Sequence, residues 1–417
     1  MASQFSGAFT DLGKSEDLYY VDPDNCKVES IPVEYNTRFS QDFSNKSSGS
    51  STFIIPPGNG MKHVVICLGY NASSINTQIG ENVLPLGWGY NAINQISFRI
   101  GGSSQYFMSG AQLLAKNLRS VRTQNQAQAL LQLGGSELKA ATDFDTAQYA
   151  YIVVPVWCTP SADGLSVPLP ADTLAQQIQI TCSLNPASGF WVNSLGATVP
   201  PPSSLDVAFF QVEQLNMVDR GMAISNHVDL NTHELLMPIT FDQQELQVDL
   251  PAATAGTVQQ LTLTGFRSGQ VKAIQMWLTK NTGNASLDSV NQNVYYLPQA
   301  VTVLYAGTIY AQYNSGTSAI WNLLDGTKPS TVSGSLVTLG ATPATSVPVA
   351  SSYVMLPFGN PTGNDYEAEV LTHGKPILNG LVNLQIVAPD ASRYTVHVVY
   401  VYNSTLVFSK SSAEFRF

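Results

Sequence analysis

The feature that most limits what this chain can fold into is a phrase that occurs twice. YIVVPVW, Tyr151 to Trp157, is an apolar run interrupted by a proline, and YVMLPFG, Tyr353 to Gly359, repeats its form about two hundred residues later. The surroundings repeat as well. MKHVVICLGY (Met61 to Tyr70) precedes an apolar strand in NAINQISFRIGG, a helical stretch after Ser109 and then YIVVPVW. VKAIQMWL (Val271 to Leu278) precedes PQAVTVLYAGT, a helical stretch after Ser318 and then YVMLPFG. Both series close on paired strands: Gln177 to Ser188 then Leu205 to Val218, and Leu381 to Ser392 then Tyr394 to Phe408. Identity between the halves is low. What repeats is the order of element types, the trace left when buried alternation persists while side chains diverge.

The elements themselves are short runs of Val, Ile, Thr, Tyr and Phe cut apart by Gly, Pro, Asn and Asp, the signature of strands. Helical periodicity is confined to SGAQLLAKNLRSV, where Leu114, Leu118 and Val121 recur behind a Ser109 N-cap with Arg119 and Arg122 near the far end, and to SAIWNLLDG, Ser318 to Gly326. The class is therefore all-β, with short helices in loops. A chain of 417 residues exceeds the usual span of one domain. The duplication divides it into an N-terminal arm (1–32), a first unit (33–224) and a second unit (225–417), with the boundary in the polar stretch ISNHVDLNT. The Pro-rich VPPPSS, Val199 to Ser204, reads as a loop inside the first unit, because a boundary there would remove that unit's last strand. Eight strands in about 190 residues is the count of a jelly roll, so two consecutive eight-stranded jelly-roll sandwiches are expected.

Charge narrows the function. Only 12% of residues are charged and the net charge is −10 with 19 Lys and Arg, too few cations for direct, sequence-specific nucleic-acid binding. Polarity comes from Ser, Thr, Asn and Gln, a surface suited to packing against copies of itself. The first twenty residues carry no basic start and no apolar core, so no secretory signal is expected. No run approaches the ~18 apolar residues of a spanning helix, so the chain reads as made in a reducing interior and not membrane-spanning. Cys26, Cys67, Cys158 and Cys182 are then expected as free thiols. The sequons at Asn45, Asn71, Asn284 and Asn403 carry no weight without that route.

No residue set has the form of a catalytic, cofactor or metal site. His227, His233 and Glu234 lie nearest to a cupin-like metal triad but fall in the connector, while His63 and His397 sit in apolar runs as core or interface histidines. Glu367 and Glu369 share one strand face and read as a solvated pair, not as glycosidase carboxylates. The glycine pairs in RIGGSS (Arg99 to Ser104) and QLGGSEL lack the lysine or third glycine of a phosphate cradle and read as turns. Trp88, Trp157, Trp191, Trp277 and Trp321 are scattered through both units, as packing residues are.

The stretches STFIIPPGNGMKHVVICLGY, ISFRIGG, LTLTGFRSGQVKAIQMWL, VTVLYAGTIY and LQIVAPDASRYTVHVVYVYNSTLVF make the chain resemble the double jelly-roll major capsid proteins of icosahedral dsDNA viruses, of the virophage, polinton, adintovirus-like and polinton-like type. The resemblance implies a non-enzymatic structural protein. It implies a homotrimer whose six sandwiches form a pseudo-hexameric capsomer that tiles the virion shell, made in the host cytoplasm and assembled there, in the nucleus or in a virus factory. Implied partners are neighbouring capsomers, a penton or vertex protein, minor capsid proteins and an inner membrane. Phe5, Phe9, Tyr19 and Tyr20 of the arm would dock on another chain. The residues alone leave a second reading open: a two-domain β-sandwich carbohydrate-binding protein or adhesin.

Overall fold

The computed structural model describes residues 28–35, 39–41, 50–55, 61–70, 82–100, 106–120, 124–137, 148–155, 178–185, 192–193, 205–217, 234–264, 269–314, 332–336, 347–351, 353–357, 375–377, 381–408 and 413–416. Sixteen strands carry the architecture. In the first half they are β1 (Val28–Tyr35), β2 (Ser50–Ile55), β3 (Met61–Tyr70), β4 (Ile93–Ile100), β5 (Tyr106–Met108), β6 (Gln148–Pro155), β7 (Ile178–Leu184) and β8 (Leu205–Met217). The second half supplies β9 (Leu235–Asp242), β10 (Val258–Thr262), β11 (Gly269–Lys280), β12 (Ala300–Tyr305), β13 (Thr308–Asn314), β14 (Val354–Pro357), β15 (Val382–Val387) and β16 (Tyr394–Phe408).

The first half forms sheets ordered β1-β8-β3-β6 and β2-β7-β4-β5, and the second half forms β9-β16-β11-β14 and β10-β15-β12-β13. Subtracting eight from each second-half label reproduces the first order strand for strand. Every one of these pairings is antiparallel. Four strands in each of two sheets, wound so that first and last lie side by side, is the jelly roll. The chain is thus all-β and holds that roll twice. Strand β1 begins at Val28, so its pairing with β8 reaches into the stretch read as an arm.

The repeated proline has a mechanical reason. Pro155 and Pro357 end β6 and β14, the last strands of their sheets, and Pro32 and Pro238 lie in β1 and β9 at the opposite edges. A proline has no N–H to give a ladder, so edges are where a sheet tolerates it, and there it also blocks further pairing. Strands β7 and β15 alternate buried with half-buried residues along their length, as strands covered on one face do. Strand β11 differs, for every residue from Ala273 to Thr279 is buried, so both of its faces are covered.

Helices fill the gaps: α1 (Trp88–Ala92), α2 (Gly110–Ser120), α3 (Gln124–Leu133) and α4 (Ala285–Val290). The expected Ser109 cap is present, its Oγ accepting from Gln112 N at 3.0 Å. After α3 the pair Gly134 and Gly135 turns back against α1, where their carbonyls accept from Gly89 N at 2.8 Å and Gly87 N at 2.7 Å. A Cβ on Gly134 would meet the Tyr90 ring and one on Gly135 the Trp88 indole, and Gly135 has φ +122°. The pair in QLGGSEL is therefore the close turn read from sequence, with its carbonyls already engaged.

Candidate functional site

The outside of β11 is covered by α2 of the other unit. This helix closes the open side of the first sandwich with Leu113, Leu114 and Leu118, all fully buried, while Asn117 donates to the β6 carbonyl of Val153 at 2.8 Å. Gln112, Lys116 and Arg119 stand at i, i+4 and i+7, one polar stripe on the other side of the same helix. On a surface helix such a stripe would face water. Here Gln112 and Lys116 are buried against the second sandwich.

Each group on that stripe finds a partner more than a hundred residues away. Gln112 Nε2 donates to Gln243 O at 2.8 Å and its Oε1 accepts from Glu245 N at 3.1 Å. Lys116 Nζ lies 3.4 Å from Asp242 Oδ2, which also takes a short contact from Arg119 Nη2. Burial alone would raise the Asp242 carboxyl, but the adjacent Arg119 and Lys116 charges overturn that and hold it below the usual carboxylate range. The Asp242 side chain is only 1% exposed, so this is a charge cluster sealed between the sandwiches.

From β11, Gln275 Nε2 donates to Ala115 O at 2.8 Å, and Tyr295 donates to Ala111 O at 2.7 Å. Tyr353 reaches Leu118 O at 3.5 Å. Trp277, fully buried, packs against Tyr295 at 5.3 Å and stacks on His397, with ring centroids 5.2 Å apart and planes 4° from parallel. A second bridge runs along α1, where Asn91 donates to Val290 O at 2.7 Å and Asn293 donates to Leu86 O.

Beside this seam lies a cavity of about 360 Å3 reached by Ser109, Glu245, Thr279 and His397. His397 Nε2 and Thr279 Oγ1 are 2.7 Å apart, while Nδ1 stands 3.8 Å from Glu245 Oε1, an ionic contact too long for a hydrogen bond. Burial would raise the Glu245 carboxyl; the adjacent His397, with help from Gln247 and Ser109, holds it down instead. The line Thr279, His397, Glu245 has the residue types of a hydrolytic triad without its contacts, because the Nδ1 bond that would orient the ring is missing.

His397 is buried, as a core or interface histidine would be, and Trp88 and Trp277 are packing residues, each no more than 1% exposed. Cys67 and Cys182 are free and buried, and burial pushes their thiols up to about 11 and about 12. Asn284 caps α4, its Oδ1 accepting from Leu287 N at 3.3 Å. Glu234 stands just before β9, Arg99 is exposed on β4, and His63 and Asn403 are placed by backbone only, on β3 and β16. Phe5, Phe9, Tyr19, Tyr20, Cys26, Asn45, Asn71, Cys158, Trp157, Trp191, His227, His233, Trp321, Glu367, Glu369 and the glycines of RIGGSS lie outside the described residues. Among the described residues no group of three or more His, Cys, Asp or Glu could hold a metal ion, and no helix is long and apolar enough to cross a membrane.

No protein-family model and no curated protein matches the sequence. Solved structures do match. PBCV-1 VP54, fitted into a reconstruction of the virophage Sputnik, aligns with TM-score 0.60 over 94% of this chain and 97% of its own at 10% identity. The Faustovirus major capsid protein aligns with TM-score 0.55 over 92% and 90%, also at 10% identity. The MCP of Sulfolobus Turreted Icosahedral Virus gives 0.51 over 90% and 97% at 12% identity. These neighbours are double jelly-roll major capsid proteins, and the likeness at this identity fixes the fold.

Proposed function

We propose that this chain is a major capsid protein whose three copies form a pseudo-hexameric capsomer of an icosahedral virion. The observation that carries the reading is the strand order repeated without change in two sandwiches that share one buried seam. Three such chains present six like-built units, enough to tile as a hexagon. The role is structural and non-enzymatic, with no catalytic, cofactor or metal residues assigned. In this reading the units are 33–224 and 225–417, and residues 1–32 contact neighbouring capsomers, minor capsid proteins or an inner membrane, with a separate penton protein at the vertices. The chain resides in the virion after synthesis in the host cell. Light scattering on the purified protein tests it: a mass of three times 44.9 kDa is expected. A monomer at micromolar concentration would overturn it in favour of a two-domain carbohydrate-binding sandwich.

A further inference from the structure

The cavity beside the seam has two polar atoms in its wall residues that the protein itself leaves without a partner. It lies between the sandwiches: Ser109 and Asn185 line it from the first, and Glu245, Thr279, Asp288 and His397 from the second. Its volume, about 360 Å3, is that of a small-molecule site. Gln247 and Ala285 in its wall are exposed, so it opens to solvent.

The two atoms are Glu245 Oε2 and His397 Nδ1, both buried and neither with a hydrogen-bond partner. Their side chains are 7% and 6% exposed. Neither group is free to turn toward another donor. The His397 ring lies flat on Trp277, and its Nε2 is held by Thr279 Oγ1 at 2.7 Å. The Glu245 backbone N donates to Gln112 Oε1 at 3.1 Å, and Glu245 Oε1 accepts from Gln247 Nε2. Folded proteins leave few buried polar atoms unmatched, and two that stay unmatched side by side at an open cavity mark the place of a missing donor.

The lining says what kind of donor fits. In the tautomer that gives Nε2–H to Thr279, His397 Nδ1 is a bare acceptor, and the Glu245 carboxylate only accepts. Asp288 adds a second carboxylate, while Lys280, the sole lysine or arginine among the described residues of the wall, is paired with Asp390 at 3.6 Å. An anion is therefore repelled. A metal ion calls for several converging ligands, and no group of three His, Cys, Asp or Glu stands together among the described residues. No aromatic ring except that of His397 lines the cavity, so a sugar has no face to stack on. An alkylammonium has three N–H donors and no acceptor, which matches two acceptors in a negative field.

We propose that this cavity binds a protonated aliphatic diamine, one ammonium donating to Glu245 Oε2 and His397 Nδ1 and the other pairing with Asp288. The site is complete within one chain and does not rest on the capsomer reading. Its walls come from both sandwiches, so the ligand fastens the start of α2 to β11 and β16 and stabilises the seam with occupancy.

The probe is 1,4-diaminobutane, titrated by calorimetry into the full chain at constant ionic strength. One saturable site per chain and a Tm that rises with ligand are expected, with no competition from 1,4-butanediol, which has the same length and no charge. Glu245→Gln keeps the shape and should weaken binding about tenfold or more, whereas Asp249→Asn, which removes an exposed carboxylate elsewhere, should change it less than about twofold. Hydrogen–deuterium exchange of the wild-type protein needs no variant: the diamine should slow exchange in peptides covering 109–113, 245–247, 279–281 and 395–397. Absence of saturable binding, equal weakening in the two variants, or slowed exchange confined to other peptides overturns the site. Equal protection of the same peptides by magnesium chloride overturns the assignment of an ammonium ligand.

Discussion

Replacing Asp242 by Asn should destabilise the protein more than any other single charge removal at the seam. The substitution keeps shape and removes charge, so no cavity confuses the result. It leaves Lys116 and Arg119, with side chains 5% and 12% exposed, facing a neutral amide. Stripping one partner from a buried ionic cluster typically costs ~3–5 kcal/mol, because the remaining cations stay desolvated. If the chain unfolds as one unit, an unfolding entropy of ~2.1 cal/mol/K per residue makes that a drop of ~3–6 °C in Tm by calorimetry. Asp249→Asn is the reference. Asp249 pairs with Arg393 at 3.0 Å, but both side chains are half exposed or more, and such pairs are worth less than ~1 kcal/mol. The variant Asp242→Leu/Lys116→Met/Arg119→Met should recover most of the loss, since an apolar set of similar volume leaves nothing unpaired. All must be measured at one protein concentration, because association shifts Tm. An Asp242→Asn protein that melts like Asp249→Asn would refute the seam as a sealed charge cluster.

Acid should weaken the same place. Asp242 and Glu245 both sit below their ordinary values in the fold, so their contribution is complete above the unfolded carboxylate value of about 4 and is lost as pH falls through the lower folded value. Tm should hold from neutrality to about pH 5 and then fall, less steeply in Asp242→Asn; equal slopes would contradict the assignment. Gly135→Ala, at φ +122° against the Trp88 indole, should cost more than ~1 kcal/mol in a urea melt, whereas Gly256→Ala, with open space around it, pays only the backbone strain of φ +84°. Tyr295→Phe removes the donor to Ala111 O and should cost ~1 kcal/mol by the same assay, with no change in far-ultraviolet spectrum.

The repeated strand order could be read from sequence because it is written in local terms. Alternation, a proline in a repeated phrase and a serine before a helix each act within a few residues, so Pro155 and Pro357 end matching strands and Ser109 stands as the N-cap read from sequence. The seam was not legible. Gln112, Lys116 and Arg119 have the spacing of a solvated face, and nothing near them in sequence announces that Asp242 and Gln243 are their partners. Arg119 near the end of α2 looked like a cation placed for the helix dipole, yet its charge is taken by another sandwich. One signal was present: the run VKAIQMWL is nearly continuous in apolar residues, which marks a strand covered on both faces and therefore a neighbour on the outside. Helices α1, α3 and α4 escaped because they are short or Gln-rich and owe their form to packing, not to periodicity.

The seam can be polar for a reason that follows from how it forms. Units in one chain meet at an effective concentration set by their tether, in the millimolar range for short connections, so their junction needs little affinity of its own. It can carry buried charge, which adds geometric demand more than net stability: two cations from α2 must meet one carboxylate from β9. The buried apolar residues of both units belong to one contiguous core, so that demand fixes the angle between the two sandwiches. A junction between separate chains has no tether and must supply its affinity from its own surface. Aromatic side chains do so at low entropic cost, and the first unit's outer strand carries the exposed Tyr149 and Tyr151 where the second unit holds Tyr353 beneath a polar helix.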